Sequence, residues 1–145
     1  MNVKSSRKHL KDCACRNLRM TSRVITQYFD KALQPVELRA TQFALLADIS
    51  SRDSSTVGEL ANVLLMDQTT VTRNIEILRK SGLIDVNIAD DDSRKRCVKI
   101  TELGTTKLIE AIPSWAKAQQ HIEEGIGKER YKEFLDTLSD IQSII

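Results

Sequence analysis

Apolar residues recur at helical spacing along most of the chain and alternate with polar ones in only one region. From Leu10, the residues Cys13, Ala14, Leu18, Ile25, Tyr28, Phe29 and Leu33 fall on one stripe, with Arg16, Arg19 and Arg23 mostly off it. This spacing predicts one long first helix, ended near Pro35. Leu38, Phe43, Leu45, Leu46 and Ile49 predict a shorter second helix that closes in the polar run "SSRDSS". Thr56 followed three residues on by Glu59 is a capping box, in which hydroxyl and carboxylate satisfy the first free backbone N–H groups. A helix therefore starts at Thr56, with Val57, Leu60, Ala61 and Leu64 on one face. After a break near Leu65 and Met66, Asp67 caps a further helix, "QTTVTRNIEILRKSG", which Gly82 stops. Val71, Ile75 and Leu78 make its buried stripe, and a step of about 100° per residue puts Thr69, Thr72, Arg73, Glu76 and Lys80 on the opposite side.

The alternating region is a hairpin. "LIDVNI" sets Ile84, Val86 and Ile88 against Asp85 and Asn87, and "CVKI" sets Val98 and Ile100 against Cys97 and Lys99. Between them lies a charged tip in which Asp90 and Asp91 suit the turn. Thr101 caps the next helix, which carries Leu103, Leu108, Ile112, Trp115 and Ile122 and which Pro113 should kink or divide. A final helix from about Lys128 carries Tyr131, Phe134, Leu135, Leu138, Ile141 and Ile145. The expected fold class is mostly α with a small β-hairpin wing. A winged helix-turn-helix at about 37–101 is flanked by helices at about 8–34 and 102–145, all in one domain over 1–145.

Composition fits one core: 145 residues, 41% hydrophobic, with five Gly and two Pro. The net charge of +2 hides an uneven distribution. Residues 1–23 hold seven bases and one acid, 101–145 hold five bases and eight acids, and 66–100 hold seven bases and six acids. A polyanion-binding surface in that last segment must come from where the charges sit. No apolar run reaches bilayer length, and "MNVKSSRKHLKD" lacks the apolar core of a secretion signal, so a cytoplasmic protein without a membrane partner is expected. Three Cys, two of them separated by one residue, fit a reducing compartment better than a disulfide scaffold.

A helix narrow enough for the major groove, beside a hairpin whose basic tip can reach the minor groove, suits double-stranded DNA. The candidate DNA-binding residues are Gln68, Thr69, Thr72, Arg73 and Lys80 on the helix, and Arg94 and Arg96 on the wing. For all of them the plain alternative is a solvated surface. Asp92, two residues before Arg94, can pair with it and pre-order it. Glu76 repels phosphate, so it reads a cytosine amino group or acts as a spacer, and the spacer is preferred. Cys13 and Cys15 invite a redox role. On one continuous helix they point about 200° apart, so any disulfide would run between chains; the plain alternative is two small apolar side chains. His9 and Cys13, at i and i+4, offer two metal ligands without a third, so no metal site is assigned. Cys97 belongs on the outer face of the wing. His9 and His121 are far apart with no motif tying either to a nucleophile, so no catalytic residue, enzyme activity or cofactor is expected.

Taken together, "LRATQFALL", "TVGELANVLLMDQTTVTRNIEILRKSGLI" and "DDSRKRCVKITELG" resemble the MarR family of transcriptional regulators over nearly the whole chain. Asp92-x-Arg94 and Ile100-Thr101-x-x-Gly104 match the family's wing. Arg39 departs from it, standing where a helix-capping Thr is common. The resemblance implies a homodimer interlocked through its first and last helices, reading a palindromic operator as a repressor, with DNA affinity modulated by a small, often phenolic or anionic, ligand. The strongly amphipathic chain ends support a dimer independently. Tyr28, Arg39, Phe43 and Trp115 are the residues placed to border a ligand pocket, against the plain alternative of aromatic core. Some relatives sense oxidants through a first-helix cysteine, which makes a thiol-based sensor acting through Cys13 or Cys15 one alternative. The other is a winged-helix protein-interaction module without DNA binding, which would expose apolar residues on the recognition face.

Overall fold

The computed structural model describes residues 2–145. The chain begins with two helices, α1 (Val3–Lys11) and α2 (Ala14–Leu33), where the apolar stripe predicts one. Asp12 closes α1, and Cys13 takes an extended backbone as the residue before α2. Asn17 accounts for the break: its side-chain amide donates to the carbonyls of Lys11 at 2.7 Å and Cys13 at 2.9 Å, satisfying an acceptor the interrupted helix leaves free. α2 ends before Pro35, and one 3-10 turn, Gln34–Val36, leads toward α3 (Ala40–Ser50). Arg39, the residue before α3, has no acceptor with which to cap it. Other groups do the work. Gln42 accepts the Arg39 N–H at 2.8 Å, and Asp30 of α2 accepts the Ala40 N–H at 2.7 Å.

The middle of the chain follows the expected order. β1 (Ser55–Thr56) runs into α4 (Val57–Leu64), then come α5 (Gln68–Lys80), β2 (Ile84–Ile88) and β3 (Arg96–Ile100). Thr56 and Glu59 exchange both capping bonds at 3.1 Å. The turn from α4 to α5 puts Leu65 in the left-handed region at φ 53°, closed by the Met66 N–H donating to the Ala61 carbonyl at 2.9 Å. Gly82, at φ 74°, ends α5 with the Leu83 N–H donating to the Leu78 carbonyl at 3.0 Å. The sheet is antiparallel with order β1-β3-β2, pairing Val98 with both Ser55 and Val86. β1 is unpredicted because two residues carry no alternation. The core gathers Leu33, Leu46, Ile49, Leu60, Val71, Leu78, Ile84 and Val98 around α3, α4 and α5.

α6 (Glu102–Ile126) runs through Pro113 undivided, and the interruption falls at Gly127, φ 97°, before α7 (Lys128–Ile144). The start of α6 is clamped onto the helix-turn-helix. The Thr101 hydroxyl donates to the Gly82 carbonyl at 2.7 Å and accepts the Gly104 N–H at 3.0 Å, while the Thr101 N–H donates to Leu83 at 3.1 Å. Gly104 is buried, and a Cβ there would collide with the Leu83 carbonyl and lie 2.8 Å from Ile100 Cγ1. By contrast α1 and α7 bury no residue fully, and Met20, Val24, Ile109, Ile112 and Leu135 stand exposed on the terminal helices.

Two glycines in α6 should therefore respond oppositely. Gly104→Ala is expected to destabilise by about 1–3 kcal/mol or more, because the obstructing atoms include backbone. Gly125→Ala, with open space around it, should be neutral or stabilising by up to about 1 kcal/mol. Urea unfolding of both variants checks this, and equal effects would remove the steric account.

Candidate nucleic-acid interface

Helix α5 starts at a tightly made cap. Asp67 accepts the Thr70 N–H at 2.8 Å and the Thr70 hydroxyl at 2.8 and 2.7 Å. With Val71, Ile75 and Leu78 buried, the helix presents Gln68, Thr69, Thr72, Arg73 and Lys80 to solvent. A cleft of about 460 Å³ separates this helix from the wing. Gln68, Thr72, Glu76 and Arg79 line one wall, Arg94, Lys95 and Arg96 the other, and Thr56 to Gly58 contribute from the start of α4. Four of the candidate residues, Gln68, Thr72, Arg94 and Arg96, thus meet around one cleft. Thr69, Arg73 and Lys80 are not among its lining residues.

The wing turn is built on Asp92. Its carboxylate accepts the Arg94 N–H at 2.9 Å and the guanidinium at 3.2 and 3.4 Å. Its carbonyl accepts the Lys95 N–H at 3.0 Å, and the Lys95 carbonyl accepts the Ala89 N–H at 3.0 Å. Arg94 is held at one edge while 90% of its side chain remains exposed, so the rest of the guanidinium faces solvent. Arg96 Nη1 approaches the Ser93 carbonyl at 3.5 Å. Asp90 and Asp91 lie exposed at the tip.

Two bases in the cleft, Arg79 and Lys95, were not singled out by the pattern. Arg79 was detectable: seven residues beyond Thr72 on a helix, it falls within about 20° of it. It pairs with Glu76 through two bonds, Nε to Oε2 at 2.8 Å and Nη2 to Oε1 at 2.6 Å. Three carboxyls are held below their ordinary range. The Thr70 hydroxyl and N–H do this for Asp67, the Arg79 guanidinium for Glu76, and the Arg94 N–H followed by its guanidinium for Asp92.

The other candidates lie away from this cleft's lining. Phe43 and Trp115 stack with centroids 5.8 Å apart, Tyr28 packs on His121 at 5.8 Å, and Arg39 lies 3.8 Å from Asp30 beside an open polar hollow. Of the four residues expected around a ligand pocket, Phe43 and Trp115 are in contact with each other. The break after α1 also corrects the reading of the cysteines. Cys13 stands outside the helix that holds Cys15, so the 200° separation does not describe the pair, and His9 no longer shares a helical face with Cys13. Cys13 is half-buried, Cys15 exposed and Cys97 half-buried, paired across the sheet with Asn87 and Thr56. Among the described residues no three His, Cys, Asp or Glu side chains are grouped to hold a metal ion.

The sequence model of the MarR family matches residues 38–96, which span α3, α4, α5, β2 and the start of β3. The M. tuberculosis transcriptional regulator MosR, solved in complex with DNA, is 34% identical, with a TM-score of 0.80 over 91% of this chain and 97% of that one. The HTH-type transcriptional regulator BilQ of Clostridioides difficile (strain CD3) is 24% identical over 117 residues, 81% of this chain and 79% of that protein. The S. aureus MepR–DNA complex shares the fold at 18% identity, with a TM-score of 0.81 over 92% and 98% of the two chains.

The Asp67 cap generates a pH prediction. A folded-state pKa below the ordinary 3.8 means that the ionised cap stabilises fully above that value and loses its contribution as pH falls through the lower folded value. Asp67→Asn keeps an acceptor and removes the titration. Below about pH 4, its melting temperature should fall less steeply than the wild type's in circular dichroism melts. Parallel acid limbs would mean that cap ionisation contributes nothing.

Proposed function

The chain belongs to the MarR family, and from that premise we propose that it is a sequence-specific regulator of transcription that binds double-stranded DNA as a homodimer. The observation that carries this reading is the cleft between α5 and the wing, lined by Arg79, Arg94, Lys95 and Arg96 and flanked by an exposed polar helix face. α5 enters the major groove, with Gln68, Thr69, Thr72 and Arg73 at base edges and Lys80 at the backbone. Arg94 and Arg96 reach the adjacent minor groove. Asp92 fixes Arg94 before contact, which reduces the entropy lost on binding. A module that bound protein instead would favour an apolar recognition face. The large apolar side chain exposed on α5, Ile77, lies about 140° around the helix from Thr72.

The homodimer covers the apolar residues left bare on α2, α6 and α7. Its two-fold axis sets the recognition helices about 34 Å apart, and a near-palindromic operator follows. MosR, 34% identical and solved with DNA, supports the reading that this chain binds DNA. The protein acts as a cytoplasmic repressor without a cofactor, and no catalytic role is assigned to any residue. Among the described residues no helix is long and apolar enough to cross a membrane. A small effector acts between the dimer helices and the winged module, where Phe43 of α3 stacks on Trp115 of α6.

A second reading, in which thiol oxidation releases DNA, is favoured by the position of Cys13 and exposed Cys15 at the joint between α1 and α2. Cys13→Ser and Cys15→Ser test it: it requires at least one variant to keep its DNA under oxidant, and it fails if both still let go.

The DNA reading is tested by fluorescence anisotropy on duplex from upstream of the protein's own gene and on mixed-sequence duplex. Arg94→Ala should weaken binding to all sequences and flatten the slope of log K against log salt by about 0.9, the signature of one lost phosphate contact. Arg73→Ala should also narrow the gap between specific and mixed sequence, by about 1–3 kcal/mol for a lost base contact. Unchanged affinity in both variants would refute the docking.

A further inference from the structure

We propose that Glu76 is an internal counter-anion that withholds Arg79 from the DNA backbone and thereby limits sequence-independent affinity. The proposal rests on the DNA-binding reading above. Glu76 is the one carboxylate among the residues lining the cleft, where it faces Arg94, Lys95 and Arg96 across the gap. A carboxylate in such a place has two ordinary uses, and the geometry opposes both. Reading a cytosine amino group needs an oxygen directed at the base, whereas both Glu76 oxygens are directed at Arg79, at 2.8 and 2.6 Å, and keep only their remaining lone pairs for another donor. An inert spacer would be indifferent to charge, whereas this side chain neutralises a guanidinium 48% exposed on the same wall.

Arg79 and Glu76 together carry no net charge toward the DNA. Arg79 can offer a phosphate only the edge that Glu76 leaves free, and the carboxylate then stays close to that phosphate, so its repulsion offsets the gain. Of the four cations that line the cleft, Arg79 and Arg94 are each paired with a carboxylate, and Lys95 and Arg96 are not. The contrast with Asp92 is informative. Asp92 spends its carboxylate partly on the Arg94 N–H and holds the guanidinium at 3.2 and 3.4 Å, leaving Arg94 90% exposed. Both arginines are paired through Nε and Nη2, but the helix arginine is held more tightly and is less exposed than the wing arginine. Fewer free cations on the recognition helix weaken binding to arbitrary sequence, which draws most of its free energy from phosphate neutralisation.

The test is fluorescence anisotropy of the full chain on mixed-sequence duplex across a salt series, for wild type, Glu76→Gln and Glu76→Gln combined with Arg79→Ala. Glu76→Gln should steepen the slope of log K against log salt by about 0.9 and raise affinity several-fold, up to about eightfold at 0.1 M salt, because Arg79 gains a phosphate. Adding Arg79→Ala should abolish that gain. If Glu76→Gln, with unaltered circular dichroism, binds no more tightly than wild type, the counter-anion role is wrong. A gain that survives the loss of Arg79 would overturn it too. Wild type that binds no duplex at any salt concentration would instead refute the DNA reading itself, and the proposal with it.

Discussion

The seat of α6 on the helix-turn-helix is the constraint on which the rest of the molecule depends. Thr101 caps α6 and holds the carbonyl of Gly82, the glycine that ends α5, while its N–H binds Leu83 just before β2. Gly104 lets the first turn of α6 approach Leu83 more closely than any side chain would permit. One junction therefore joins the end of the recognition helix, the root of the wing and the start of the longest helix. The angle between reading elements and terminal helices is set there. In a homodimer, the spacing of two recognition helices inherits that angle, so a ligand that repacks α6 could alter DNA affinity without touching DNA.

The charges show a second economy. Near-equal numbers of acids and bases between residues 66 and 100 argue against a simple basic patch. Position resolves this, because three acids there are committed locally: Asp67 to the α5 cap, Glu76 to Arg79 and Asp92 to Arg94. Each is kept ionised by hydrogen bonds that hold its pKa below the ordinary value. Asp67 and Asp92 shape the backbone that carries the bases, and Glu76 neutralises one base directly.

The elements with strong local signals were legible in the sequence. The Thr56–Glu59 box, the Asp67 cap, the Gly82 stop and the two alternating strands each rest on chemistry within a few residues, and the structure contains all of them. What escaped needed a partner at a distance. β1 exists because β3 offers it an edge, the arginine before α3 is compensated by Asp30 on α2, and the α1–α2 break depends on Asn17 reaching back to Lys11. In the candidate interface, the polar face of α5 was readable by angle. The cleft that brings Arg79 beside Arg94 and Lys95 depends on how the hairpin folds over the helix. Aromatic spacing along a helix says little about which neighbouring helix each ring meets, so the contacts of Phe43 with Trp115 and of Tyr28 with His121 were not legible.

The most direct measurement is selection of bound duplexes from a random-sequence library, followed by sequencing. A homodimer whose recognition helices are held by the α6 junction should enrich an inverted repeat with half-site centres one helical turn apart, about 10 base pairs. Enrichment of a lone half-site, of repeats in direct orientation, or of no sequence would contradict the account.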